Sequence, residues 1–216
     1  QKQISHNILL NRIKKFNNSF YLSNEKQEFN LKYLRGKHQL ENANLAQEIG
    51  NYLCVNGFQL INQKIIKEKI SKTIWPGRFD IIYHSPTIIF DVAHNNDGIK
   101  SFTDAYFEYI KDYNFNEKIL ICGFEQNKNV FHRLSSLINS FNKIICTETG
   151  IKKSMDCKIL AKKINHKKVT YNPNINIIFS DLIKTTAKND LICILGSHYF
   201  GPHIKKHFNN SFANYE

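Results

Sequence analysis

WPGRFDIIYHSPTIIFDVAHNNDG, residues Trp75 to Gly98, is the stretch whose reading decides the fold of this 216-residue chain. Within it Ile88-Ile89-Phe90 is a short β-branched and aromatic run, as in a buried strand. The run stops at Asp91, and Asp91-Val92-Ala93-His94-Asn95 is a polar turn. Beyond it Ile99, Phe102, Phe107 and Ile110 recur at helical spacing, so Asn95 or Asn96 is expected to cap a helix. A carboxylate at the carboxyl end of a strand, facing a helix N-terminus, stands where open α/β sheets bind ligands. Ahead of the strand, Pro76-Gly77 forces a turn that projects Arg78 from a loop. Arg78 and Asp91, one strand apart, suit gripping a phosphate and ribose hydroxyls.

Downstream, strand and helix signals alternate at α/β spacing. Strands are predicted at 80–83, 87–91, 118–122, 143–147, 168–171 and 190–195, and helices at 96–111, 129–140, 154–165, 176–187 and 199–208. Leu191-Ile192-Cys193-Ile194-Leu195 is apolar throughout, as a central strand covered on both faces must be. About six strands with interleaved helices make a Rossmann-like α/β layer. No G-x-G-x-x-G follows a strand, so a dinucleotide cofactor is not supported. Upstream, residues 42–53 and 61–74 have helical composition, with the turn signal Asn56-Gly57 between them. Residues 1–35 carry short alternating pieces such as Ser19-Phe20-Tyr21-Leu22 and read as two or three strands with polar turns. The expected domain boundary is 1–75 against 76–216, with Trp75-Pro76-Gly77 at the hinge.

The chain carries a net charge of +12 and is 42% hydrophobic, enough to bury a core. The charge points to anionic partners (nucleotide, polyglutamate, nucleic acid or anionic lipid), or to nothing more than a bias toward Lys, Asn and Ile. Cys54, Cys122, Cys146, Cys157 and Cys193 show no CxxC spacing and read as buried free thiols of a reducing compartment. With no signal peptide and no apolar run long enough to span a bilayer, a cytoplasmic, non-membrane protein is expected. The chain begins at Gln1 and its single methionine is Met155, so it reads as a piece of a longer protein.

W-P-G-R-F, an apolar strand and D-x-A-H-N together resemble folylpolyglutamate synthase/dihydrofolate synthase, of the Mur ligase superfamily. Gly36-Lys37-His38-Gln39-Leu40-Glu41-Asn42-Ala43 is similar to that family's G-x-H-Q-x-x-N-A, and Gly196-Ser197-His198-Tyr199 to its G-S-x-Y. The resemblance implies a Mur ligase C-terminal domain over 76–216, preceded by the tail of the central ATP-binding domain. It implies roles for six residues. Asn42 would read the adenine edge with one donor and one acceptor, Arg78 would reach the ATP phosphates, and Asp91 would accept from ribose hydroxyls. His94 would sit over the substrate pocket, while Lys128 and Ser197 would hold the carboxylates of the incoming glutamate. His38 and Gln39 share the first motif, where one of them holds the turn.

Each residue also has a plainer reading: a helix cap for Asp91 or Asn42, a surface cation for Arg78 or Lys128. The sequence departs from the family's pattern at Val92 for the common Gly and Asn96 for the common Pro. Asn127 and Asn129 flank Lys128 where the family has acids.

The implied reaction is ATP-dependent addition of L-glutamate to folate, or to dihydropteroate, through an acyl phosphate. ATP and Mg²⁺ are the implied co-substrate and metal. No G-x-x-x-x-G-K-[ST] occurs, so a P-loop domain and the Mg²⁺ ligands are expected upstream, and the chain alone is expected to be inactive. A monomer binding neither nucleic acid nor membrane is expected. The alternatives are another Mur-superfamily amide ligase acting on a peptidoglycan precursor, a non-catalytic remnant, and a basic nucleic-acid-binding module.

Overall fold

The computed structural model of the chain describes residues 3–16, 28–58 and 62–208. Three helices come first: α1 (Gln3–Lys15), α2 (Lys37–Val55) and α3 (Gln63–Ser71). An alternating series follows: β1 (Asp80–His84), β2 (Thr87–Asp91), α4 (Asn96–Ile110), β3 (Lys118–Cys122), α5 (Phe131–Ile138) and β4 (Lys143–Cys146). The series continues through α6 (Cys157–Ile164), β5 (Val169–Tyr171), α7 (Ile175–Thr185) and β6 (Leu191–Leu195), and ends in a 3₁₀ turn (His198–Phe200) running into α8 (Gly201–Phe208). The six strands form one sheet in the order β1-β2-β6-β3-β4-β5, parallel except for β1, which pairs antiparallel with β2.

Strand side chains alternate between two cores, as a period of two requires. Ile89, Leu120, Cys122, Ile144, Leu191 and Cys193 face the helices α4, α5 and α6, whereas Ile88, Phe90, Ile119, Ile121, Ile192 and Ile194 face α7 and α8. The sheet is therefore covered on both faces. This is why β6 can be apolar at every position and buried at every position. Cys122, Cys146, Cys157 and Cys193 are buried free thiols, and Cys54 is half-buried.

Three expectations are corrected. Residues 3–15 form a helix, not strands. Ile4, Ile8, Leu9 and Ile13 already lie at helical spacing, and Arg12, Lys14 and Lys15 in the last turn favour its negative end. The alternating piece at 19–22 lies outside the described residues. Second, α4 turns its core face through Tyr106 and Tyr109, while Phe107 is exposed. At 100° per residue Tyr106 lies within 20° of Ile99 on the helical wheel, but Phe107 lies about 80° away. Third, the last helix begins as a 3₁₀ turn capped by Ser197.

Candidate active site

β2, β6 and β3 are neighbours, and their carboxyl ends carry Asp91, Gly196-Ser197 and Gly123. Gly196 donates its N–H to the Asp91 carbonyl, and Gly123 donates to Leu195. This is the edge of a parallel sheet at which ligands bind. Gly196 is required here: its φ is +119°, and an added Cβ would fall 2.3 Å from the Gly123 carbonyl oxygen.

Asp91 is 7% exposed and both of its carboxylate oxygens are occupied. Oδ2 accepts the Phe79 N–H at 2.7 Å and Oδ1 accepts the Ala93 N–H at 2.7 Å. Burial pushes its pKa up from 3.8 to about 6, against the downward pull of those two N–H groups and of the Arg78 guanidinium. That rise corresponds to about 3 kcal/mol at neutral pH. The folded state holds the Asp91 proton more tightly than the unfolded chain. This group's contribution therefore favours folding most below pH 3.8, is lost as pH rises through about 6, and stays lost above it.

Phe79, held by Asp91, is a buried aromatic at φ +47°. For a bulky L-residue that conformation costs about 1–3 kcal/mol. Gly77, two residues earlier, has φ +73°, and a Cβ there would meet Val92 at 2.7 Å. Gly77 donates to Asp80 at 3.1 Å and accepts the Val92 N–H at 2.9 Å. Arg78 is thus the middle residue of a loop stitched to the end of β2 on both sides. Pro76-Gly77 signalled the turn in the sequence, but nothing there signalled the left-handed Phe79.

Arg78 opens onto a cavity of about 550 Å³ lined by Leu34, His38, Gln39, Asn42, Thr73 and Trp75, among others. His38, Gln39, Asn42, Ala43 and Ala46 come from one face of α2 at i, i+3, i+4, i+7 spacing, so helical periodicity gathers the H-Q-x-x-N-A motif on this wall. The buried Gln39 accepts from Asn42 Nδ2 at 3.1 Å. Asn42, itself exposed, keeps its carbonyl oxygen and one amide hydrogen available. Burial and the nearby Arg78 lower the pKa of His38 below 6.5, so its imidazole is neutral at neutral pH. Trp75 and His38 join Asn42 and Arg78 on this wall. For Trp75 the sequence gave only a hinge signal.

The other candidates lie at the strand ends. His94 Nδ1 sits 2.9 Å from the Val92 carbonyl, which can only accept, so Nδ1 bears the proton and Nε2 is left for a ligand. Ser197 is buried, and its hydroxyl accepts the Tyr199 N–H at 3.2 Å. Lys128 is half-buried in the loop after β3, its N–H bonded to the Glu125 carbonyl. Asp91, His94, Ser197 and Lys128 thus share one sheet edge, while Asn42 shares the cavity with Arg78. Among the described residues no group of three His, Cys, Asp or Glu side chains could hold a metal, and no helix is long and apolar enough to cross a membrane.

Residues 77–198 match the model of the Mur ligase, glutamate ligase domain family. The dihydrofolate synthase/folylpolyglutamate synthase of Bacillus subtilis is 23% identical over 175 residues, 80% of this chain and 40% of that protein. The enzyme of the same name from Buchnera aphidicola subsp. Schizaphis graminum is 27% identical over 139 residues, 64% of this chain and 32% of its own length. Among solved structures, Mycobacterium tuberculosis folylpolyglutamate synthase complexed with ADP and AMPPCP superposes with a TM-score of 0.75 at 18% identity, over 98% of this chain and 54% of that one. The bifunctional Yersinia pestis synthase complexed with AMPPNP and Mn superposes at 0.72 with 14% identity, over 93% and 50%. At such identities the structural matches speak for the fold alone, and the chain spans about 40% of the B. subtilis relative.

Proposed function

Since the chain belongs to the Mur ligase, glutamate ligase domain family, we propose that it is part of an ATP-dependent ligase that adds L-glutamate to folate or dihydropteroate. The observation that carries this reading is the cavity at Arg78. Two stretches some 40 residues apart, each read as a motif of one family, converge on it as His38, Gln39 and Asn42 from one side and Trp75 and Arg78 from the other. An exposed amide beside a guanidinium matches a purine edge at one end and phosphate at the other.

In this reading Asn42 pairs with the adenine edge and Arg78 faces the phosphates. Its planar guanidinium neutralises the charge that develops as the γ-phosphoryl passes to the substrate carboxylate. The glutamate amine then attacks the acyl phosphate, the C–O bond to phosphate breaks, and an amide and inorganic phosphate result. Asp91 stands at the ribose, where each of its oxygens has a second lone pair beyond its backbone N–H bond. His94, through Nε2, together with Lys128 and Ser197, is assigned to the incoming glutamate. The described residues do not fit a Mg²⁺ site, so no metal-held step is placed on them.

The reaction also needs a phosphate cradle, and the partner we assign is a P-loop domain of the same ligase. Leu45, Ile49, Tyr52 and Val55 are exposed along α2 on the side away from the cavity, an apolar face that such a domain would cover. The cytoplasm, where ATP and folates meet, is the proposed location.

Trp75 is the single tryptophan and lines the cavity, so its fluorescence reports occupancy. Titrating the chain with ADP and ATP should shift its emission saturably, and Arg78→Ala should weaken ATP more than ADP. An emission that neither nucleotide changes would overturn the assignment of this cavity.

A further inference from the structure

The carboxylate of Asp91 is better placed to hold a backbone than a ligand, and what it holds leads to Arg78. Three bonds join the loop 76–79 to its surroundings: Gly77 O to Val92 N–H, Gly77 N–H to Asp80, and Phe79 N–H to Asp91. The third is the shortest, ends on a buried carboxylate, and fixes the residue whose left-handed backbone an L-side chain avoids. Gly77 accepts a positive φ without cost, but Phe79 needs something to keep it there. Its ring is anchored in the core against Phe102 and Tyr109, and its N–H is anchored by Asp91. With the residues on both sides fixed in left-handed conformations, the direction in which Arg78 leaves the chain is fixed too.

We propose that Asp91 is the positioning residue of this site: by holding Phe79 in its left-handed conformation it sets the Arg78 guanidinium at the cavity. Arg78 touches the ligand and Asp91 acts through it. The functional half of this statement rests on the ligase reading, whereas the hold on the loop does not. The charged form of Asp91 is the one that holds, because a protonated carboxyl turns one of its two acceptors into a donor facing an N–H. The groups that face it are Arg78 and Asp80 from the loop and β1, and the Cys193 thiol from β6, with His38 beyond Arg78. Arg78 favours the charged form and Asp80 opposes it, while burial raises the midpoint to about 6. Acidification through that value should loosen the loop without unfolding the domain, since protonating Asp91 favours the folded state.

The test has two arms. In the first, the ¹⁵N-labelled wild-type chain without ligand is titrated from pH 7.5 to 4. The Phe79 and Ala93 amide resonances should move together on one titration curve, while amides elsewhere on β2 stay in place. Fixed Phe79 and Ala93 resonances would overturn the proposal, and this arm needs no variant to fold. In the second, Trp75 fluorescence gives the affinity for ATP and for 2′,3′-dideoxy-ATP in the wild type, Arg78→Ala, Asp91→Asn and the double variant. Each single change should weaken both nucleotides by about tenfold, and the double change no further, because the two residues act in series. A double variant about a hundredfold weaker would mean that Asp91 acts independently of Arg78. A loss that disappears with dideoxy-ATP would mean that it contacts the ribose and does nothing through the arginine. Either result overturns the proposal. If the wild type binds neither nucleotide, the ligase reading fails, and the amide titration still decides the hold on the loop.

Discussion

The cavity wall and the strand ends are built from the same kinds of residue but present them in opposite ways. At the wall, Asn42 and Trp75 are exposed and half-buried His38 and Arg78 open onto empty space. At the strand ends, Asp91 and Ser197 are buried, and their side-chain oxygens already accept backbone N–H groups of the chain. A polar residue in a motif can therefore serve a ligand directly, or hold still the backbone that carries another residue to it. Burial and partner lists separate the two roles where sequence spacing does not.

Gly196→Ala attacks the closed side and should have the largest effect. Left-handed strain and a Cβ 2.3 Å from a carbonyl oxygen together imply a loss of about 4 kcal/mol. Chemical denaturation of the chain should read it; a loss below about 1 kcal/mol would mean that the strand ends are less tightly joined than the structure has them. On the open side, Arg78→Ala in the complete ligase should lower kcat by about 2–4 kcal/mol of transition-state stabilisation while leaving the melting temperature nearly unchanged. Arg78→Lys should recover only part, because a point charge lacks the planar fork. A wild-type kcat for Arg78→Ala would make the arginine a surface residue.

Asn42→Ala should be milder. Loss of one adenine contact made equally in ground and transition states raises the KM for ATP about tenfold and leaves kcat in place. A fall in kcat instead would show that α2 shapes the reacting end of the nucleotide. Ser197→Ala should have the smallest effect, about 1 kcal/mol from the lost cap, together with a raised KM for glutamate. If that KM does not move, the cap is the whole role of Ser197 and the contrast between the two sides becomes sharper.

Sequence by itself determined the alternating sheet. β2 and β6 are apolar runs bounded by polar turns, α4 is announced by Asn95, and each of the six strand positions is legible because burial on two faces leaves no room for polar residues. It also marked Arg78, Asn42 and Asp91 through motifs whose order along the chain matches one family. It misread residues 3–15, where a helical spacing of apolar residues competes with neighbouring alternation. It set the core face of α4 one residue off, because local periodicity tolerates either aromatic until the sheet selects one. The left-handed Phe79 and the two N–H bonds on Asp91 were decided by tertiary structure alone. A phenylalanine carries no local preference for positive φ. Only a buried carboxylate 12 positions away in the chain makes that conformation the stable one, and that pairing exists only once β2 and the loop before β1 are packed together.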